Sequence, residues 1–260
     1  MTNLKEEVDS VIDWTKKYFS NFEIQKAIVG ISGGIDSAVT AAICTKALGQ
    51  QNVIGVLLPC DSAFTDTEDA ITLSNSLNIS SYMMSLESMY RKWWNEFRAS
   101  IAIPGFKDGQ LLDINKLIPA NAKARLRMLT LYAVAGQANG LVAGTTNKTE
   151  ALLGYATKYG DGGVDIEPIM DFYKTEIFEM AKILNIPCDI IDKPPSAGLW
   201  LGQTDEGELG MTYKEIDEYL IAEEKNFAQV IDPKKLNKIE KLINLNKHKD
   251  LGLPHYKRTK

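Results

Sequence analysis

The chain has 260 residues, of which 45% are hydrophobic, so it can bury a substantial core as one large domain or two small ones. Its formal net charge of −5 argues against nucleic acid as a partner, and no apolar run is long enough to span a membrane. The three cysteines, Cys44, Cys60 and Cys188, are too widely spaced to indicate a disulfide framework or a zinc site, and the amino terminus lacks the apolar core of a signal peptide. We therefore expect a cytoplasmic protein without a nucleic-acid or membrane partner.

Predicted helices and strands alternate along most of the chain. In order, they are a helix over 4–19, a strand over 27–31, a helix over 35–48, a strand over 53–58, a helix over 66–77, a helix over about 115–139, a strand over 141–143, and helices beginning at Asn147, after Tyr173 and at Thr212. This alternation predicts right-handed β-α-β units and an α/β fold, an open parallel sheet flanked by helices. No long linker or repeat divides the chain, so we expect residues 1–260 to form a single domain.

The most informative segment is a glycine-rich loop between the first predicted strand and the helix after it. Its residues are Gly30, Ile31, Ser32, Gly33, Gly34, Ile35, Asp36 and Ser37. A strand–glycine loop–helix unit directs free backbone N–H groups and the positive end of a helix dipole towards an anion. The carboxylate of Asp36 would repel phosphate unless a divalent cation lay between them. The loop therefore predicts a pyrophosphate site with a built-in metal ligand.

The spacing of this loop excludes two common nucleotide-binding motifs. A Walker A loop requires Gly-Lys-Ser/Thr at its end, whereas Gly34 is followed by Ile35 and Asp36. A dinucleotide fingerprint requires glycines at its first, third and sixth positions, and Ser32 and Ile35 occupy the last two. A glycine-rich turn without a ligand is the remaining alternative. The run Ser-Gly-Gly-Ile-Asp-Ser resembles the signature of the N-type ATP pyrophosphatases, which split ATP between its α and β phosphates and transfer AMP to an acceptor oxygen.

A second strand–loop–helix unit is predicted around residues 144–150. Thr145 offers a hydroxyl group to a base or ribose, and Glu150 offers a second carboxylate to a metal ion. Glu150 also stands three residues after Asn147, where a helix-capping glutamate belongs, so capping is an equally open explanation. The charged, glycine-rich run over residues 158–165 is either a ligand-binding loop or a polar turn.

From about residue 5 to about residue 250 the chain resembles the NAD synthetases. The segments that carry the resemblance, in the family's order, are the loop at 30–37, Asn121-Ala122-Lys123-Ala124-Arg125-Leu126-Arg127, Gly144-Thr145, Glu150, Lys158-Tyr159-Gly160-Asp161-Gly162-Gly163, Asp165, Lys174, Pro195-Ser196-Ala197, Glu208-Leu209-Gly210 and His248-Lys249. The run at 158–163 is the most specific of them after the glycine loop. The resemblance implies a Rossmann-like fold of the adenine nucleotide alpha hydrolase type.

The resemblance also implies an activity and a role for individual residues. The enzyme would adenylate the nicotinate carboxylate of deamido-NAD with ATP, releasing pyrophosphate, and ammonia would then displace AMP to give NAD. ATP would be held by Gly30 to Ser37, Thr145, Lys174 and Ser196, and deamido-NAD by Arg125, Lys158, Asp165, His248 and Lys249. The Mg²⁺ ligands would be Asp36 and Glu150, and the catalytic residues would be Asp36, Lys174 and Asp161, with Asp161 on the ammonia side or at a second metal.

Three further expectations follow from the resemblance. The family is dimeric, and the helices predicted at 4–19 and 115–139 are candidate surfaces for a homodimer. A lid over residues 198–210 would shield the acyl-adenylate from water, although its Leu199-Trp200-Leu201 segment departs from the more acidic version of some relatives. Glutamine-using relatives carry a glutaminase (amidase) domain with a cysteine nucleophile; the glycine loop begins at residue 30 here, so free ammonia is the predicted nitrogen source.

Two other classes of function remain open at this point. One is a different adenylating enzyme of the same superfamily, such as the ATPase domain of a GMP synthetase or a tRNA-thiolating enzyme. The GMP synthetase domain lacks the run at 158–163, and a tRNA-thiolating enzyme would need reactive cysteines and a basic face. The other is a nucleotide-binding sensor without turnover, which has no need for Asp36 and Glu150 together.

Overall fold

Four parallel strands form the centre of the fold in the computed structural model, which describes residues 3–100, 116–196, 204–225, 227 and 232–249. They are β1 (Lys26–Gly30), β2 (Val53–Leu57), β3 (Ser80–Met83) and β4 (Gly140–Ala143), in the order β3-β2-β1-β4 across the sheet. Because β1 pairs with β2 on one side and with β4 on the other, the strand order reverses at β1. Open α/β sheets bind ligands in the crevice beyond the carboxyl ends of the strands at such a reversal.

Helices cover both faces of this sheet. In chain order they are α1 (Leu4–Ser20), α2 (Ile35–Leu48), α3 (Phe64–Ser76), α4 (Glu87–Ser100), α5 (Leu117–Ala138), α6 (Lys148–Leu153), α7 (Lys174–Ile183), α8 (Cys188–Ile191), α9 (Asp205–Leu209), α10 (Tyr213–Glu224) and α11 (Pro233–Asn246), with short 3-10 helices at Gln50–Asn52 and Lys247–Lys249. On one face α1, α2 and α7 pack together, and on the other lie α4 and α5. A smaller hydrophobic cluster joins α6, α9, α10 and α11, and α10 connects it to α7.

The residues of β1 show why the strand is apolar along its length. Ala27 and Val29 pack into the hydrophobic cluster on the α2 side of the sheet, whereas Ile28 packs into the cluster on the α5 side. All three side chains are fully buried. A parallel strand covered on both faces therefore carries apolar residues at successive positions, where a half-exposed strand would alternate.

The α/β fold with an open parallel sheet, predicted from the alternation of elements, is confirmed. The predicted capping box is also present, since the Thr212 side chain accepts from the backbone N–H of Glu215 at the start of α10. None of the helices in the described ranges is long and apolar enough to cross a membrane.

Two parts of the fold differ from the sequence-based expectation. The prediction omitted β3, α4, α8, α9 and α11. The strand β3 is an edge strand whose four residues are all exposed, so it lacks the apolar pattern by which strands are recognised. At the end of α5, Asn139 adopts the left-handed conformation, with φ of 49°, and Gly140 already begins β4.

Candidate active site

The glycine loop joins β1 to α2 at the carboxyl edge of the sheet. Gly33 has φ of +80°, a left-handed conformation that favours glycine, and a Cβ atom there would collide with the carbonyl oxygen of Asp66 in α3. The hydroxyl of Ser37 donates to the Gly34 carbonyl at 2.9 Å and accepts from the Ser32 N–H at 3.3 Å. The loop is therefore shaped by its own side chains and by the close approach of α3, and α2 begins directly after it.

Lys174, the first residue of α7, brings its ammonium group to this loop. The side chain is 2% exposed, and Nζ lies 2.5 Å from Asp36 Oδ2 and 3.6 Å from Glu150 Oε1. The ring centroid of Tyr213 lies 4.9 Å from the same nitrogen. Burial alone would lower the pKa of Lys174, but the Asp36 and Glu150 carboxylates outweigh it and raise that pKa. The ammonium is therefore charged at neutral pH, and three of the predicted site residues lie together.

Asn147 connects the two carboxylates. Its Nδ2 donates to Asp36 Oδ1 at 2.9 Å, and its Oδ1 accepts from the backbone N–H of Glu150 at 3.0 Å. Glu150 Oε2 in turn accepts from the Asn147 N–H at 3.3 Å, which completes a capping box at the start of α6. The two explanations of Glu150 are thus compatible, because one oxygen caps the helix while the other faces Lys174.

The donor set at this point fits a magnesium ion delivered with ATP. Mg²⁺ in nucleotide sites is held by one or two carboxylates together with phosphate oxygens, and Asp36 and Glu150 are two carboxylates beside the loop. Burial, followed by the Asp36 carboxylate, raises the pKa of Glu150 to about 8 against the opposing effect of Lys174. A nearby cation would favour its ionised form. Within the described ranges, His, Cys, Asp and Glu side chains form no metal-binding group of three or more.

A second set of predicted residues meets where the carboxyl-terminal 3-10 helix contacts the 158–163 loop. Lys158 Nζ donates to the His248 carbonyl at 2.7 Å, and Lys249 Nζ donates to the carbonyls of Gly154 and Ala156 at 2.7 and 2.6 Å. Arg125 Nε donates to the Lys158 carbonyl at 3.2 Å. Four predicted deamido-NAD contacts, Arg125, Lys158, His248 and Lys249, are therefore gathered in one place. The side chains of the arginine and the two lysines donate to backbone carbonyls there.

Asp161 and Asp165 shape the chain on either side of that loop. Asp161 Oδ1 accepts from the Thr157 N–H at 2.7 Å and so closes the turn. Asp165 Oδ2 accepts from the Val142 N–H in β4 at 2.8 Å, and its Oδ1 accepts from the Tyr132 hydroxyl at 3.1 Å. Burial, together with the hydrogen bond to Asp165, raises the pKa of Tyr132 to about 12. Both carboxylates hold backbone in place, and their contacts with substrate stay predictions.

The remaining predicted ATP contacts are Thr145 and Ser196. Thr145, partly exposed, follows β4, and Ser196, exposed, ends the described stretch that precedes the predicted lid. Lys193 Nζ, close to Ser196 in sequence, lies 2.7 Å from Asp66 Oδ1 and 2.5 Å from Asp69 Oδ2 and ties this segment to α3. Of the predicted lid, residues 198–203, including Leu199-Trp200-Leu201, lie outside the described residues, and residues 205–209 form α9.

Two acidic residues near the site were not expected from the sequence. Asp205, 3% exposed, accepts from the Tyr213 hydroxyl at 3.0 Å behind Lys174. Glu167 accepts from the Thr146 N–H at 3.1 Å, and its carboxylate fills the space that a side chain at residue 144 would need. Burial raises the pKa of Glu167 to about 7. The only sequence signal for either is an acidic residue beside a predicted site segment, which is too common to be specific.

Comparison with known proteins identifies relatives along nearly the whole chain. The family model for NAD synthase matches residues 7–251. An NH(3)-dependent NAD(+) synthetase from Carboxydothermus hydrogenoformans is 42% identical over 230 residues, which cover 88% of this chain and 90% of that protein.

Two solved structures have the same fold over the full length. An NMN synthetase from Francisella tularensis is 36% identical with a TM-score of 0.86, covering 98% of this chain and 99% of that one. An NH3-dependent NAD synthetase from Campylobacter jejuni, in complex with the nitrate ion, is 29% identical with a TM-score of 0.80, covering 99% of this chain and 100% of that one.

Proposed function

The chain belongs to the NAD synthase family, and we propose that it forms NAD by adenylating the nicotinate carboxylate of deamido-NAD and replacing the AMP with ammonia. It is a carbon–nitrogen ligase that uses ATP. The observation that carries the residue assignment is the buried cluster of Lys174, Asp36 and Glu150 beside the glycine loop. Such a cluster supplies the positive charge and the carboxylates that a reacting triphosphate and its cation require.

The proposed chemistry explains why the site needs these residue types. In the first step a carboxylate oxygen of deamido-NAD bonds to the α-phosphorus of ATP and pyrophosphate leaves. In the second, the nitrogen of ammonia bonds to the carbonyl carbon and loses a proton, and AMP leaves with the electron pair of the broken C–O bond. Lys174 offsets the repulsion between the triphosphate and the approaching carboxylate, and the loop N–H groups orient the phosphates.

We assign the other residues by where they lie. Asp36 and Glu150 would hold Mg²⁺, which neutralises phosphate charge when it is bound. Residues 30–37, Thr145 and Ser196 would contact ATP. The cluster of Arg125, Lys158, His248 and Lys249 would contact the phosphates and riboses of deamido-NAD, and its contacts with backbone carbonyls would be exchanged for contacts with the substrate.

Ammonia is the proposed nitrogen source. It is supported by relatives named NH(3)-dependent NAD(+) synthetase, one of which is matched over 90% of its length. The test is to incubate the protein with ATP, Mg²⁺, deamido-NAD and either ammonium or glutamine, and to measure NAD, AMP and pyrophosphate. NAD is expected with ammonium alone. Folded protein that produces no NAD with ammonium would overturn the proposal, and activity with glutamine alone would overturn the choice of nitrogen donor.

A second candidate substrate is the mononucleotide acid that corresponds to NMN. The Francisella tularensis structure, at 36% identity, is that of an NMN synthetase, so this fold also accepts the smaller nucleotide. The two acids share the reacting nicotinate and differ in the AMP half of deamido-NAD. A competition assay with equal concentrations of both acids discriminates between them. A larger kcat/KM for deamido-NAD is expected, and the reverse ratio would make NMN the principal product.

We also propose that the protein is a homodimer that associates through the face formed by β3, α4 and α5. This face carries Tyr82, Met84, Met89 and Leu129, which are between 42% and 62% exposed. An apolar patch of this kind on an edge strand and two helices favours burial against a second copy.

Light scattering on two variants tests this assignment. Leu129→Glu is expected to convert a dimer to a monomer, whereas Trp14→Glu, at another exposed apolar position, in α1, is expected to leave the dimer intact. A monomeric wild-type protein would overturn the dimer. If only Trp14→Glu dissociates the dimer, the interface lies at α1, the other helix that the sequence suggested.

A further inference from the structure

A buried carboxylate that has no role in the chemistry proposed above lies behind Lys174. Asp217, in α10, is 1% exposed, and both of its oxygens accept hydrogen bonds from other elements. Oδ1 accepts from the Thr149 hydroxyl at 2.5 Å, and Oδ2 accepts from the backbone N–H of Thr175 at 2.8 Å. One side chain thus joins α10 to the first turn of α6 and to the first turn of α7.

The direction of these hydrogen bonds is fixed by their donors. The backbone N–H of Lys174 donates to the Thr149 oxygen at 2.9 Å, and a backbone N–H can only donate. The single hydroxyl proton of Thr149 is therefore directed to Asp217. The N–H groups of Lys174 and Thr175 belong to the first turn of α7, where helices have no internal acceptors, so Asp217 and Thr149 satisfy them from outside.

The same helix also contacts the other end of Lys174. Tyr213 lies one turn before Asp217 in α10, and its ring centroid is 4.9 Å from Lys174 Nζ. The α10 helix thus contacts both ends of Lys174. Asp217 reaches the backbone N–H of the lysine through the Thr149 hydroxyl, and the Tyr213 ring lies beside its ammonium. Thr149 precedes Glu150, so the Asp217 carboxylate also fixes the turn of α6 that presents the Glu150 side chain.

We propose that Asp217 is a positioning residue for adenylation, setting the relative placement of Lys174 and Glu150 through Thr149 and the first turn of α7. The proposal rests on the function proposed above. Its physical basis is that charge stabilisation at the α-phosphate depends on distance, and a displacement of about 1 Å commonly costs on the order of 100-fold in rate. A merely structural role for Asp217 would lower stability and leave the turnover of the folded protein unchanged.

The test compares Asp217→Asn with variants at Thr149. An asparagine keeps one acceptor oxygen but turns an NH2 group, which cannot accept, towards one of the two donors. Thr149→Val removes the bridging hydroxyl at nearly constant volume, and Thr149→Ser retains it. The control is Glu224→Gln, because Glu224 also lies in α10 and contacts Lys148 of α6 and Tyr173 at the start of α7, but its side chain is exposed and does not contact Lys174 or Thr149 in the hydrogen bonds described.

The readouts are NAD formation, deamido-NAD-dependent exchange of pyrophosphate into ATP, and the melting temperature. Asp217→Asn and Thr149→Val are expected to lower kcat for pyrophosphate exchange by about 10- to 100-fold. In NAD formation, the KM of both variants for ammonia is expected to stay within about twofold of the wild-type value. Thr149→Ser and Glu224→Gln are expected to retain most of the wild-type kcat. Because both changes break one chain of contacts, the double variant is expected to be little slower than either single variant.

Each outcome discriminates between explanations. Folded Asp217→Asn protein with wild-type kcat and a lower melting temperature would overturn the proposal in favour of a structural role. If Asp217→Asn does not fold, equal kcat values for Thr149→Val and Thr149→Ser would overturn it, and a loss in Thr149→Val alone would support it. Absence of NAD formation by the wild-type protein would instead refute the proposed function.

Discussion

The ammonium of Lys174 lies 2.5 Å from the Asp36 carboxylate, although the two residues are 138 positions apart in the chain. Asp36 is in the first turn of α2 and Lys174 is in the first turn of α7, so the amino-terminal ends of two helices converge at this contact. A carboxylate suits such a position, whereas a lysine is disfavoured by the helix dipole. The buried ammonium is therefore retained because Asp36 and Glu150 compensate it, and removal of Lys174 leaves the two acid groups without their cation.

Replacing Lys174 by methionine tests the charge at the centre of the site. The variant leaves two carboxylates close together without their cation, so we expect a loss of about 3–5 kcal/mol in the free energy of unfolding when Mg²⁺ is absent. We expect kcat for pyrophosphate exchange to fall by about 100-fold or more, because a charge that stabilises the reacting phosphates is lost. Denaturant unfolding and the exchange assay measure these two effects.

Lys182→Met is the matched control for this prediction. Lys182 lies in the same helix, α7, and pairs with Glu179 on the surface, where both side chains are 57% exposed. We expect its free energy of unfolding and its kcat to stay close to those of the wild type. Equal activity of the two lysine variants would show that the ammonium of Lys174 is not used in adenylation.

Asp36→Asn tests the proposed metal ligand. The amide keeps nearly the same volume but removes the negative charge, so we expect a folded protein whose exchange activity requires much more Mg²⁺ and whose kcat is at least about tenfold lower. A titration of the exchange rate against Mg²⁺ measures the change. Asp13→Asn, on the exposed surface of α1, serves as the control and should titrate like the wild type. An unchanged Mg²⁺ titration for Asp36→Asn would remove this residue from the metal site.

The parts of the site that the sequence predicted are local in the chain. The glycine loop follows its strand and precedes its helix within a few residues, so spacing and residue type were sufficient. Capping by Glu150, one of the two explanations that the sequence left open, also depends only on local spacing, and the capping box with Asn147 is present. By contrast, the bond from Asn147 to Asp36 exists only because β4 lies next to β1, and strand order is not encoded in any short segment.

Contacts between distant segments explain what the sequence missed. The lysine at 174 was assigned to the site chiefly by family resemblance, since no periodicity relates it to Asp36. Asp217 and Glu167 had no specific sequence signal, because a buried acidic residue cannot be distinguished from a surface one in the sequence until its partners are known. The contacts of the Lys249 ammonium with the carbonyls of Gly154 and Ala156 likewise join distant segments, and its contact with substrate stays a prediction.

Gly33→Ala tests the close approach of the loop to α3. At φ of +80° an alanine costs about 1–2 kcal/mol in backbone strain, and its Cβ would also collide with the Asp66 carbonyl. We therefore expect a lower melting temperature and a higher KM for ATP as the loop moves away from α3. Gly34→Ala is the control for stability, because its φ is −96° and only Ser32 Oγ, at 3.3 Å, lies near its Cβ. Equal melting temperatures for the two variants would contradict the predicted collision.

Glu167→Gln tests how a buried acid beside the β4 loop makes stability depend on pH. Burial raises the pKa of Glu167 from 4.5 to about 7, so the folded protein binds more protons than the unfolded chain between these values. The contribution of this group is therefore complete below about pH 4.5 and is lost as pH rises to about 7, by on the order of 1–3 kcal/mol. Glutamine keeps an acceptor for the Thr146 N–H without this titration, so urea unfolding at pH 5 and pH 8 should show a smaller loss of stability for the variant than for the wild type. The same loss in both proteins would mean that Glu167 is ionised in the folded state throughout this range and that its contact with Thr146 compensates its burial.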